Sequence, residues 1–158
     1  MTKDIPMKFA RTLGLLAVAS TLAAPALAQF RKPEDAVKYR QSVMFTMGNH
    51  FYSRLGGMAN GRTPFDAKVA AENAEVVLTL SKLPWIGFGP ETNGIGKTEA
   101  KPAVWTEQAK FKDLSEKMQA EVAKLQAASR TGDLEALKAA YRSTSSACKS
   151  CHDSFTNQ

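Results

Sequence analysis

Residues 133–155 read DLEALKAAYRSTSSACKSCHDSF, and this stretch decides the fold. Leu134, Leu137, Tyr141, Cys148, Cys151 and Phe155 stand three, four or seven residues apart, the spacing of one helical face. Thr131-Gly132-Asp133 supplies the turn before it, with Asp133 as the N-cap. Moving outward, a third helix starts near Ala103. Val104, Phe111, Met118 and Leu125 repeat every seven residues there, with Leu114 and Val122 alongside. Upstream of it, residues 84–102 form a long connection rich in Gly and Pro, the kind of loop more often functional than decorative. A second helix begins at Thr63-Pro64, with Thr63 as N-cap and Asp66 close behind, and Pro84 stops it. Phe65, Val69, Ala70, Val76, Val77, Leu80 and Leu83 are its expected buried side. The first helix runs from Pro33 to Gly56. Val37, Met44, Phe51 and Met58 recur every seven residues, and Gly56-Gly57 ends it. No segment alternates with the two-residue period of a strand. Helices with seven-residue seams and mostly short turns pack near-antiparallel, so the expected fold is all-α, an up-down four-helix bundle.

The 158 residues suffice for one ordinary domain. Residues 1–28 read as a cleaved secretory leader. Lys3, Lys8 and Arg11 make a basic start, Leu13 to Ala24 an apolar stretch, and Ala26-Leu27-Ala28 a small-x-small cleavage site. That stretch is shorter than the roughly 20 residues a spanning helix needs. Residues 29–158 are then the exported domain, expected in the periplasm without membrane insertion. Removing three of the 21 Lys+Arg and one of the 15 Asp+Glu leaves 18 against 14. This mild positive excess is spread along the chain, and no basic block with interleaved aromatics points to nucleic acid.

An oxidising compartment ordinarily suggests a disulfide. Here the two cysteines stand three apart and are followed at once by histidine: Cys148-Lys149-Ser150-Cys151-His152 is the c-type haem attachment pattern. On a helix, residues i and i+3 project to one side, so both sulfurs can add across the two vinyl groups of one porphyrin edge. His152, at i+4 from Cys148, stands on the same face with its ring able to reach the iron. A zinc site would need four ligands, and His50 is the only other histidine. His50, next to Phe51, is expected at the exposed side of its helix. A thioredoxin-like pair would want a βαβ context that is absent, and a structural disulfide has no use for the histidine. The cofactor is therefore one haem c, held by two thioethers with His152 as the metal ligand.

On the first helix Arg40 shares the seam system of Met47 and lies one turn from Met44. Spacing leaves two readings of it. Turned inward, it needs a charged partner such as a haem propionate; turned outward, it snorkels to the surface.

Lys32-Pro33-Glu34-Asp35-Ala36-Val37-Lys38-Tyr39-Arg40-Gln41-Ser42 resembles the opening of cytochrome c′. So do Leu83-Pro84-Trp85, the run from Lys97-Thr98-Glu99 to Val104-Trp105, and the C-terminal Cys148-Lys149-Ser150-Cys151-His152-Asp153. The resemblance covers essentially the whole exported chain. It implies a five-coordinate high-spin haem with His152 as sole protein ligand. It also implies that Met44 closes the opposite face, that Arg40 and Gln41 meet the propionates, and that Thr98-Glu99 closes over the haem edge. It further implies binding of NO and CO, electron transfer with a redox partner not identified by sequence, and a homodimer; no paired carboxylates or nucleophile-base pair can be read from the helices, so no enzymatic reaction is expected. A thioether is also a competent sixth ligand, so a low-spin His152/Met44 electron carrier is the alternative. One departure stands out: where the family usually has Arg or Lys, four residues after the haem histidine, this chain has Thr156.

Overall fold

The computed structural model describes residues 29–157; the leader assigned to residues 1–28 lies outside them. The described chain is all-α, a four-helix bundle. Its first rod is α1 (Pro33–Gly48), a π-helical segment (Asn49–Leu55) and α2 (Gly56–Ala59), which follow one another without leaving helical backbone angles. The second is α3 (Ala67–Leu80). A strap with two 3-10 turns (Pro84–Phe88 and Pro90–Thr92) leads to α4 (Ala103–Thr106) and α5 (Gln108–Ser129), the third rod. The fourth is α6 (Leu134–Phe155). α5 packs against α6 and α3, α3 against the π segment, and α1 against the first 3-10 turn. Among the described residues no helix is long and apolar enough to cross a membrane.

Asp133 caps α6 as its sequence suggested, its side chain accepting from the Glu135 and Ala136 amides. The elements depart from the periodicity in several places. Gly56-Gly57 does not end the first rod, which continues to Ala59. Glycine is there for another reason: a methyl group on Gly56 would sit 2.5 Å from the Tyr141 hydroxyl oxygen, so its absence lets α6 approach. The N-cap of α3 is Asp66, which accepts from Val69 N, rather than Thr63. The third rod breaks after Thr106, where Glu107 leaves helical geometry. The first rod also carries the π segment, whose i→i+5 bonding admits an extra residue and is common at functional positions.

The core joins all four rods through Leu55, Ala70, Ala74, Val77, Val122, Leu125 and Leu137, each at most 1% exposed. Burying a side chain such as Leu or Val stabilises by about 1.5–3 kcal/mol. Phe51 stacks on Tyr141 with ring centroids 4.6 Å apart, tying the π segment to α6. Leu83, expected inside, is exposed because α3 stops at Leu80 rather than at Pro84, and Val69, though within α3, is exposed on its outer side. His50, expected outside, is half-buried, its Nδ1 2.7 Å from Asn73 Oδ1 on α3.

Candidate haem site

The second half of α6 faces a cavity of about 310 Å³ enclosed with α1, the strap and α5. Cys148, Cys151 and His152 line it from α6, Arg40, Gln41 and Met44 from α1, and Thr98 and Glu99 from the strap. The eight residues picked out by motif and resemblance thus meet around one space. Its other walls are mainly apolar: Met47, Trp85, Phe88, Val104, Phe111, Met118 and Phe155. Trp85, Phe88, Phe111 and Phe155 contact one another edge-on or stacked, with centroids 5.0 to 6.3 Å apart.

Arg40 is turned inward. It is 2% exposed, so the outward alternative does not hold. Its guanidinium donates to Gly87 O (2.8 Å), Thr92 Oγ1 (3.0 Å) and Thr98 Oγ1 (3.2 Å). It lies 4.4 Å from the centre of the Phe88 ring and 5.5 Å from that of Trp105. All these partners are neutral; among the described residues no carboxylate forms an ion pair with it. Burial pulls its pKa below the usual arginine value, as expected for a cation short of an anion. The strap reaches Arg40 because Gly87 has no side chain: a methyl group there would meet Ala36 O at 2.8 Å and Arg40 Cβ at 2.9 Å.

The strap is held from both sides. Gln41 Nε2 donates to Lys97 O at 2.8 Å. At the other edge Ala100 and Thr156 form an antiparallel bridge, with Lys101 N donating to Phe155 O (2.9 Å) and Asn157 N to Glu99 O (2.8 Å). Thr156 also donates its hydroxyl proton to His152 O at 2.9 Å, so it anchors the end of α6 where the resemblance leads one to look for a cation.

Cys148 and Cys151 are free thiols in this wall. Burial pushes Cys148 up to about 11 and raises Cys151, so both are protonated at neutral pH. Two neutral thiols and an imidazole on one face of an apolar space, with an unpaired buried cation opposite, fit a flat apolar group carrying carboxylates, which is what haem is. Sequence reasoning missed Gly87, Thr92 and Phe88, which position Arg40. A glycine and a threonine in a Gly/Pro-rich loop carry no periodic signal.

The family model described as Cytochrome C' matches residues 35–156. Cytochrome c' of Rubrivivax gelatinosus is 55% identical over 127 residues, covering 80% of this chain and 98% of that one. A solved structure of cytochrome c' from that organism superposes with a TM-score of 0.79 at 54% identity, covering 82% of this chain and all of the other. A nitric oxide complex of a mutant cytochrome c prime from Alcaligenes xylosoxidans superposes with a TM-score of 0.76 at 42% identity, over 82% of this chain and 99% of that one.

Proposed function

Since the chain belongs to the cytochrome c′ family and carries one covalent haem c, we propose that it is a periplasmic protein that binds nitric oxide and carbon monoxide on a five-coordinate haem. The observation that carries this reading is the convergence of Cys148, Cys151, His152, Arg40 and Met44 on one apolar cavity. The nitric oxide complex of the Alcaligenes xylosoxidans relative supports the choice of ligand.

When bound, haem supplies an iron with one coordination position left for a gas. The chain does the rest. Cys148 and Cys151 would hold the haem through two thioethers, each S–H adding across one vinyl group, which would prevent loss of the cofactor outside the cytosol. The His152 imidazole would donate a nitrogen lone pair to the iron from α6, whose last turn Thr156 holds to the strap. Arg40 supplies the charge for propionates, with Gln41 beside it and Thr98-Glu99 closing the edge. Met44, in the wall contributed by α1, would shield the iron and give way to an entering gas. The cavity's apolar side chains, Met47, Phe88, Phe111 and Met118 among them, would give bound dioxygen no hydrogen bond, whereas NO and CO need none. The same cofactor can pass electrons to a redox partner, and a homodimer is the proposed assembly.

The visible spectrum of the ferrous protein tests this reading. Broad unsplit bands that change on adding CO are the expected result. Sharp split bands indifferent to CO would replace it with the His152/Met44 electron carrier.

A further inference from the structure

The haem site makes no use of Gly56-Gly57, yet these residues shape a groove of about 480 Å³ toward the C-terminal end of the first rod. Tyr52, Ser53, Gly57, Arg62, Thr63 and Tyr141 line it, and none of them lines the haem cavity. Two missing side chains make room for hydroxyls. A methyl group on Gly56 would sit 2.5 Å from the Tyr141 hydroxyl oxygen, and one on Gly57 would sit 2.9 Å from Thr63 Oγ1.

The chemistry of the groove is one-sided. Its lining carries four hydroxyls and one guanidinium, and no carboxylate. Arg62 Nη2 donates to Tyr52 O at 3.3 Å, which lays the side chain back across the π segment. Among the described residues Arg62 forms no ion pair. Tyr52, Ser53 and Thr63 are exposed, so water serves their hydroxyls. Tyr141 differs. It is 9% exposed, and among the described residues its hydroxyl proton goes to no acceptor. Burial raises its pKa above the ordinary 10.0, so the phenol is a donor at neutral pH. Arg62 and the Asn60 side chain pull the other way, which marks a positive field at the phenol oxygen. A buried donor without an acceptor, beside a cation without a partner, is the arrangement that an anion completes. The volume lies in the range of about 300–1,000 Å³ found for small-molecule sites and leaves room beyond a single inorganic ion.

We propose that this groove binds a small organic anion through a phosphate or carboxylate head, with Arg62 pairing with the head and Tyr141 donating a hydrogen bond to it. The site stands apart from the haem and does not rest on gas binding. Phenyl phosphate and benzoate are the probes, titrated by calorimetry into the haem-loaded protein at low salt. One molecule bound per chain is expected for at least one of them, with the visible haem spectrum unchanged, and the tighter of the two identifies the head. Arg62→Gln, at an exposed position, should weaken binding by about tenfold or more, and Tyr141→Phe by about three- to tenfold. Arg54→Gln removes a charge from the π segment outside the groove and should leave the affinity within about twofold. No binding of either probe, equal binding of neutral phenol, inorganic phosphate binding as tightly as phenyl phosphate, a haem spectrum that shifts with occupancy, or equal losses in Arg54→Gln and Arg62→Gln overturns the proposal.

Discussion

Replacing Arg40 with methionine keeps a long stem and removes the guanidinium that ties strap to bundle. Three hydrogen bonds are lost, to Gly87 O, Thr92 Oγ1 and Thr98 Oγ1. The threonine hydroxyls can turn to other partners, and Thr92 Oγ1 already donates to Gly89 O at 2.7 Å. Gly87 O cannot turn, and a buried acceptor left alone costs about 1–3 kcal/mol. Losing the stacking of the cation on Phe88 and Trp105 adds roughly 0.5–2 kcal/mol. In the haem-loaded protein the propionates would also lose their counter-charge, which offsets the relief from no longer burying a cation. The net is about 3 kcal/mol, the low end of what breaking a buried charged contact costs. For a domain of this size that is a fall of roughly 10 °C in Tm. Arg40→Lys keeps the charge but offers a compact point donor instead of a planar fork, so about half of that loss is expected. Urea unfolding of the haem-loaded proteins, followed by far-ultraviolet circular dichroism and by haem absorbance, measures both. A loss below about 1 kcal/mol for Arg40→Met, or a larger loss for lysine than for methionine, would refute the reasoning.

Met44→Ala should speed CO binding by about tenfold or more, equivalent to roughly 1.4 kcal/mol of barrier; an unchanged stopped-flow rate would mean Met44 does not guard the site. Gly56→Ala should destabilise by about 1 kcal/mol, overpacking against Tyr141 exceeding the helix-propensity gain. In a Tyr141→Phe background, which removes the nearest atom, the same change should cost less by thermal melting. Burial pushes Tyr52 up to about 12 and raises Tyr141 from the ordinary 10.0. The folded state therefore favours the neutral phenols. That stability is complete below the unfolded pKa of about 10 and disappears as pH climbs through about 12. Tyr52→Phe should accordingly flatten the alkaline limb of an unfolding-versus-pH curve, and an unaltered limb would contradict the assignment.

Most of the bundle was legible because seven-residue seams and an aspartate cap are local signals. Val37, Phe51, Met118, Leu125 and Leu137 all lie in the core where periodicity put them. The boundaries that failed depended on distant partners. Gly56 reads as a stop until Tyr141 on α6 is seen against it, and Thr63-Pro64 reads as a cap until Asp66 outcompetes it. The π segment has no sequence period of its own. In the site, Cys148, Cys151 and His152 could be picked from spacing alone, since the motif is compact in the chain. Arg40 could not: spacing left it inward or outward, and the choice is made by Gly87, Thr92 and Thr98, some 50 residues away. Long-range pairing of single polar residues leaves no periodic trace, and neither does the bridge between Ala100 and Thr156.

The central claim is that His152 is the one side chain bonded to iron, with Met44 covering the other face. X-ray absorption at the iron edge of the haem-loaded ferric protein tests it most directly. The account predicts a shell of nitrogen neighbours from the porphyrin and one imidazole, with no sulfur at bonding distance, and loss of the imidazole contribution in His152→Ala. A sulfur scatterer at bonding distance that disappears in Met44→Leu would contradict it.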